Sequence, residues 1–113
     1  MSITISSRKA KARNLQNKVV ETLLQKYPHL TNNDIKPSIM GESGIDIKLS
    51  ESARKTFPFG VECKNQESLN IWSALAQCEE NAELEHLIPA LIFKRNRSHT
   101  YVVLKIEDFE KLI

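Results

Sequence analysis

The chain has 113 residues, 41% hydrophobic and 27% charged, with a formal net charge of +2. That suits one soluble domain with a modest core, and no apolar run approaches the roughly 20 residues that span a bilayer, so no membrane partner is expected. Cys63 and Cys78 are the only cysteines and form no Cys-x-x-Cys pair, which argues against zinc and a disulfide framework and fits a reducing, cytoplasmic setting.

Residues 1–7 lack the apolar stretch of a secretory signal. A helix is expected from a Ser6 or Ser7 cap to about Lys26, with Leu15, Val19, Val20, Leu23, Leu24 and Tyr27 as its apolar stripe. Arg8, Lys9, Lys11, Arg13 and Lys18 crowd its first half with no acid among them. The helix dipole disfavours cations there, so the placement points to phosphate contact, with solvated surface as the alternative. Tyr27-Pro28 ends the helix. An irregular first strand is expected at 35–40, broken by Pro37, followed by the tight turn Gly41-Glu42-Ser43-Gly44.

A second strand at 44–49 turns Ile45, Ile47 and Leu49 to one face and Asp46 to the other. Residues 50–55 form a link with room for a short helical turn. A third strand turns Phe59, Val61 and Cys63 one way and Gly60, Glu62 and Lys64 the other. If the two runs pair as a hairpin with their apolar faces together, Asp46 joins Glu62 and Lys64 on one surface. After Asn65 the period changes to that of a helix, with Ile71, Leu75, Cys78 and Ala82 on one face. Trp72 is expected to pack into the core, a base-stacking platform being the alternative. Asn70, Ser73, Gln77 and Asn81 form a polar, uncharged stripe, and Glu79, Glu80, Glu83 and Glu85 an acidic run. Ala90-Leu91-Ile92-Phe93 reads as a buried strand, parallel to the third through a right-handed crossover. Lys94, Arg95 and Arg97 make a second basic cluster, before a last strand at 101–106 and a short helix at 107–113. The order is α-β-β-β-α-β with an added strand and helix, an α/β mixed sheet flanked by helices in a single domain over 1–113.

Asp46 and Glu62 supply the one or two carboxylates that magnesium usually takes, and the Cys63 backbone carbonyl between them adds a third oxygen. Lys64 then stands where it would orient an attacking water and stabilise a phosphoryl transition state. This set suits phosphodiester hydrolysis. The alternative is that Asp46, Glu62 and Lys64 are ordinary ion-pair partners on a solvated sheet face.

Asp46 followed by Glu62-Cys63-Lys64 resembles the motif of the PD-(D/E)XK nuclease superfamily, an acid on the second core strand and Glu-x-Lys on the third. The element order is similar to the superfamily's restriction-endonuclease-like core over roughly residues 8–94. Gly41-x-Ser43-Gly44-x-Asp46, Glu62-Cys63-Lys64-Asn65, Asn70-x-Trp72 and Lys94-x-Asn96-Arg97-Ser98 look like small phage-encoded members and, more distantly, archaeal Holliday-junction resolvases. The resemblance implies a Mg2+-dependent endodeoxyribonuclease, with Mn2+ substituting, that acts on branched DNA. It assigns Asp46, Glu62 and the Cys63 carbonyl to the metal, with Lys64 and Gln77 as further catalytic groups; a plain surface role remains open for Gln77. Ser43 either binds phosphate or caps its turn. Arg8, Lys9, Lys11, Arg13, Lys94, Arg95 and Arg97 are the expected DNA contacts. Ile45 stands where the superfamily motif has proline. Many members add a glutamate on the first helix, facing the site; Glu21, the only acid there, is the candidate for this further metal ligand, and Gln16 or Asn17 are the alternatives for that turn. Two symmetric cuts in a junction call for a homodimer, with its interface at Tyr101, Val103, Phe109, Leu112 and Ile113 or on the Trp72 helix. A nicking or single-strand nuclease, or a non-catalytic DNA-binding or assembly protein of the same fold, are the rival expectations.

Overall fold

The first helix, α1, runs Ile5–Lys26 and is capped by Thr4, whose hydroxyl accepts from the Ser7 N–H at 3.1 Å. The cap therefore lies ahead of Ser6 and Ser7, because a capping side chain reaches the N–H three residues on. The structure, a computed structural model, describes residues 4–39 and 41–113. The first three residues of the stretch weighed as a secretory signal, and Met40 at the end of the expected first strand, lie outside these. Leu15, Val19, Val20 and Leu23 are buried as their spacing requires, and so is Gln16.

Strands β1 (Ile35–Pro37) and β2 (Ile47–Leu49) pair antiparallel, with Ile35 opposite Leu49 and Pro37 opposite Ile47. Pro37 ends β1, since it brings no N–H to a ladder. Between β2 and the next strand stands a full helix, α2 (Glu51–Thr56), capped by the Ser50 hydroxyl on the Ala53 N–H. The expected hairpin of second and third strands does not form. Instead β3 (Phe59–Asn65) is joined to the β1–β2 pair at one residue, Asp46. The Asp46 N–H donates to the Val61 carbonyl at 2.8 Å, and the Cys63 N–H donates to Asp46 Oδ2 at 2.7 Å. A side chain has replaced the next backbone partner, and the ladder stops there.

From β3 the chain crosses through α3 (Ile71–Leu84) to β4 (Ile88–Lys94), which is parallel to β3 from Phe59 opposite Ile88 to Asn65 opposite Lys94. Strand β5 (Tyr101–Val103) adds antiparallel to β4, and α4 (Ile106–Glu110) closes the chain. The β3-β4-β5 sheet is thus mixed and has helices on its faces. On one face Val61, Cys63 and Ala90 pack with α1, β1 and β2; on the other Leu91 packs with Ala74 and Cys78 of α3. Strand β3 is consequently buried on both faces, as parallel strands between helices are.

The buried face of α3 is Ala74, Cys78 and Ala82, all small. A Cβ on Gly60 would lie 2.7 Å from the Ala82 Cβ and 2.9 Å from its Cα. Helix and strand are in near-backbone contact at that point. Trp72 is not in the core: it is 79% exposed, since it lies about 200° around the helix from Ala74. Among the described residues no helix is long and apolar enough to cross a membrane. Gly60→Ala should destabilise the protein by about 1–3 kcal/mol through overpacking. Urea unfolding checks this, and an unchanged midpoint would mean that α3 can shift away freely.

Candidate active site

Asp46 reaches the site because its neighbours cannot. Ile45 and Ile47 are buried at 5% and 0% exposure, so alternation turns Asp46 the other way. Its carboxylate meets the edge of β3 at the Cys63 N–H. Within one strand residue the N–H and C=O point to the same side, so the Cys63 carbonyl also leaves β3 on the Asp46 edge. Glu62 points to the α3 face and is 4% exposed. Lys64 lies two residues on, with its Nζ 3.7 Å from Glu62 Oε1. Asp46, Glu62 and Lys64 therefore converge at the junction of the two sheets.

Burial, and then the neighbouring Asp46 charge, push the Glu62 carboxyl up to about 7, with Lys64 and Asn81 acting in the opposite direction. Burial also raises Asp46, against the pull of the Cys63 N–H and of Lys64. Two carboxylates in a poorly solvated place repel each other, and one ammonium only partly compensates. Glu62 Oε2 is buried and has no hydrogen-bond partner. Two carboxylates and a carbonyl are the ligands of a hard cation, and a partnerless buried carboxylate oxygen is what such a cation would satisfy. The residues fit a divalent metal. Among the described residues no three His, Cys, Asp or Glu side chains gather into a metal site, so the acids available are Asp46 and Glu62.

Glu21 does not join them. It is exposed on α1, one position past the buried Val20, and the helix turns it to solvent. Gln16 is the polar residue of α1 that is buried. Cys63 and Cys78 do not supply a nucleophile. Burial raises the Cys63 thiol far above its usual range and pushes Cys78 up to about 11, so both stay protonated.

Lys64 borders two clefts. One, of about 540 Å³, runs between α1 and the end of β3 and is lined by Arg8, Lys11, Lys64 and Glu67 among others. The other, of about 320 Å³, brings Lys64 together with Asn70, Ser73 and Gln77. Gln77 thus faces the same cleft as Lys64. Lys94 and Arg95 line a third cleft of about 330 Å³, beyond Gln66 and Glu67. Lys9, Arg13 and Arg97 are exposed; Arg97 sits in its turn at φ 59°. Ser43 is exposed in the turn between Gly41 and Gly44, whose φ values of 91° and 101° suit glycine.

Residues 31–113 match a family model described as phage putative PDDEXK endonuclease. The chain belongs to this family. The match covers the chain from the approach to β1 onward, and so includes Asp46, Glu62 and Lys64 but not α1. The α/β architecture with its mixed sheet is compatible with the restriction-endonuclease-like fold of the PD-(D/E)XK superfamily. No curated protein and no solved structure matches the chain.

Two residues gain a place here that sequence reasoning did not give them. Asn81 of α3 donates from Nδ2 to the Gly44 carbonyl at 3.3 Å and stands beside Glu62. Asn65 donates from Nδ2 to the Lys11 carbonyl at 3.4 Å and ties α1 to the end of β3. Asn81 was legible as the last member of the uncharged stripe, and Asn65 as the last residue of the Glu62-Cys63-Lys64-Asn65 motif, though neither was given a role.

The raised Glu62 pKa has a pH consequence for the metal-free PDDEXK protein. The folded state holds the Glu62 proton between about pH 4.5 and 7, where the unfolded state has lost it. Its stabilising contribution is complete below about 4.5 and is lost as pH rises through 7. Unfolding free energy in chelator should therefore fall across this window, and Glu62→Gln should flatten the fall. Urea melts along a pH series check this; parallel curves for the two proteins would refute the assignment.

Proposed function

We propose that this member of the phage PDDEXK family is an endodeoxyribonuclease that uses a divalent cation, Mg2+ with Mn2+ as substitute, and acts on branched DNA as a homodimer. The observation that carries the reading is the meeting of Asp46 with Glu62, whose Oε2 is buried without a partner, beside Lys64. Asp46, Glu62 and the Cys63 carbonyl would hold the cation. When bound, it supplies charge neutralisation at a phosphodiester oxygen and a lowered pKa for water.

The chain's own groups do the rest. The Cys63 N–H fixes one oxygen of Asp46, so that carboxylate is oriented before any substrate arrives. Lys64, 23% exposed at its side chain, is open enough to reach a phosphate while its Glu62 neighbour stays dry. Its ammonium donates to the phosphoryl oxygens as their charge grows and orients the attacking water. Gln77, across the same cleft, offers a neutral amide to phosphate or water without competing for a cation. Arg8 and Lys11 on one side, and Lys94 and Arg95 on the other, receive flanking phosphates, with Lys9, Arg13, Ser43 and Arg97 further out. Contacts of this kind to phosphates position a nucleic acid by its shape and backbone and carry no base sequence.

Asp46→Ala, Glu62→Ala and Lys64→Ala should each lower the cleavage rate by on the order of 10²-fold or more without unfolding the protein. The assay compares a four-way junction, a linear duplex and a single strand, in Mg2+ and across salt concentrations. Equal cleavage by purified Asp46→Ala would overturn the reading. Preference for the single strand, or nicking of the duplex, would replace the substrate class, and binding without any cleavage would leave a DNA-binding protein on this fold.

A second copy is supported by the apolar surface at the end of the chain. Strand β5 is an edge of its sheet, and Tyr101, Val102, Ile106, Phe109, Leu112 and Ile113 are exposed there. Val103, expected in that surface, instead packs inward on the α3 side, and Val102 takes the outward place. Two chains related by a two-fold axis would supply two sites for two cuts. Sedimentation at micromolar concentration should give a dimer, and Val102→Glu with Phe109→Glu should give a monomer. A wild-type protein that is monomeric both free and on a junction would exclude the two-site arrangement.

A further inference from the structure

The near-contact of Gly60 with Ala82 has a neighbour. Asn81 precedes Ala82, so the close docking of α3 carries its side chain to the level of Glu62 on β3. There its Nδ2 donates to the Gly44 carbonyl at 3.3 Å. Gly44 lies two residues ahead of Asp46, at the φ of 101° that lets the chain turn into β2. An amide nitrogen carries two hydrogens. One is taken by Gly44; the other is left on the side of α3 that docks against β3, the strand that carries Glu62.

One side chain therefore ties the segment that delivers Asp46 to the helix docked on the strand that carries Glu62. These two acids come from different sheets, which meet at the two hydrogen bonds of Asp46 to Val61 and Cys63 rather than along a ladder, so a further tie at Gly44 bears on their separation. We infer that Asn81 is a positioning residue: it sets the spacing of the Asp46–Glu62 pair to accept a divalent cation. The inference rests on the proposed reading that this pair holds the metal. The chemistry of the residue suits the task. A neutral donor at this place brings neither the charge of a lysine, which would oppose a cation, nor that of an acid, which would add to the repulsion already present.

The test is Asn81→Leu, which keeps the size of the side chain and removes the donor. Isothermal titration with Mn2+ is run on the DNA-free protein, beside thermal unfolding in chelator. By the usual effect of groups that orient metal ligands, Kd should rise about 10–100-fold, with the variant still folded. Cleavage should recover as Mn2+ is raised to saturation, so that the metal requirement moves and the maximal rate moves much less. A folded variant that binds Mn2+ like the wild type overturns the role of Asn81 and leaves the proposed function standing. A wild-type protein that binds no Mn2+ overturns both. If Asn81→Leu does not fold, the side-chain amide signals of Asn81 in wild-type protein decide by NMR during Mg2+ titration. Saturable shifts support the inference, and unmoved signals overturn it.

Discussion

Two hydrogen bonds at Asp46 hold the β1–β2 pair against β3 at the candidate site: its N–H to the Val61 carbonyl and its carboxylate to the Cys63 N–H. Without them the two sheets would meet there only through apolar packing, which has no direction and would not fix an oxygen atom in place. The hydrogen bonds have direction, and one is charge-assisted. The same side chain thus closes a gap in the architecture and presents its carboxylate to the site. Fold and chemistry share an atom pair, so the site residue is also a joint of the scaffold.

The electrostatic cost of this arrangement is visible in the buried carboxylates. Glu62 lies under α3 with one oxygen unpartnered, near a second acid. In an ordinary core such a residue would be replaced or fully paired. Its persistence beside Lys64 marks a place arranged for charge that the protein alone does not neutralise. The surrounding clefts add cations at the rim rather than at the centre. Positive charge is spread around the rim, and the two acids sit at the centre.

Much of this was readable from the chain. Period-two alternation at Ile45, Ile47 and Leu49 placed Asp46, and the alternation in β3 placed Glu62 and Lys64 together. The helical stripe of α1, the crossover and the parallel β3–β4 pair follow from the same periodicities. What escaped depends on distance between segments. Asp46 pairing with β3 through its side chain cannot be told from a continued ladder by pattern alone. Trp72 looked like core because a large apolar ring usually is, but Gly60 and Ala82 bring α3 so close that only small residues fit beneath it. Glu21 looked like a ligand because it was the sole acid of its helix, yet one residue of offset turns it to solvent. Thr4 capped α1 ahead of two serines that fit the pattern equally well.

The turns that leave β3 and β4 are fastened to each other. The Gln66 N–H donates to the Lys94 carbonyl at 3.1 Å, and the Asn96 N–H donates to Glu67 Oε2 at 2.6 Å. Both turns emerge at the same end because the strands are parallel and Asn65 stands opposite Lys94. A slip of β3 by one residue would rotate Glu62 and Lys64 onto the α1 face and, in the same movement, part Gln66 from Lys94. The alignment that aims the acids is therefore the alignment that seats Lys94 and Arg95. A chain folded in the wrong register would disturb the Lys94–Arg95 turn and the Asp46–Glu62–Lys64 cluster together, and could not lose one while keeping the other.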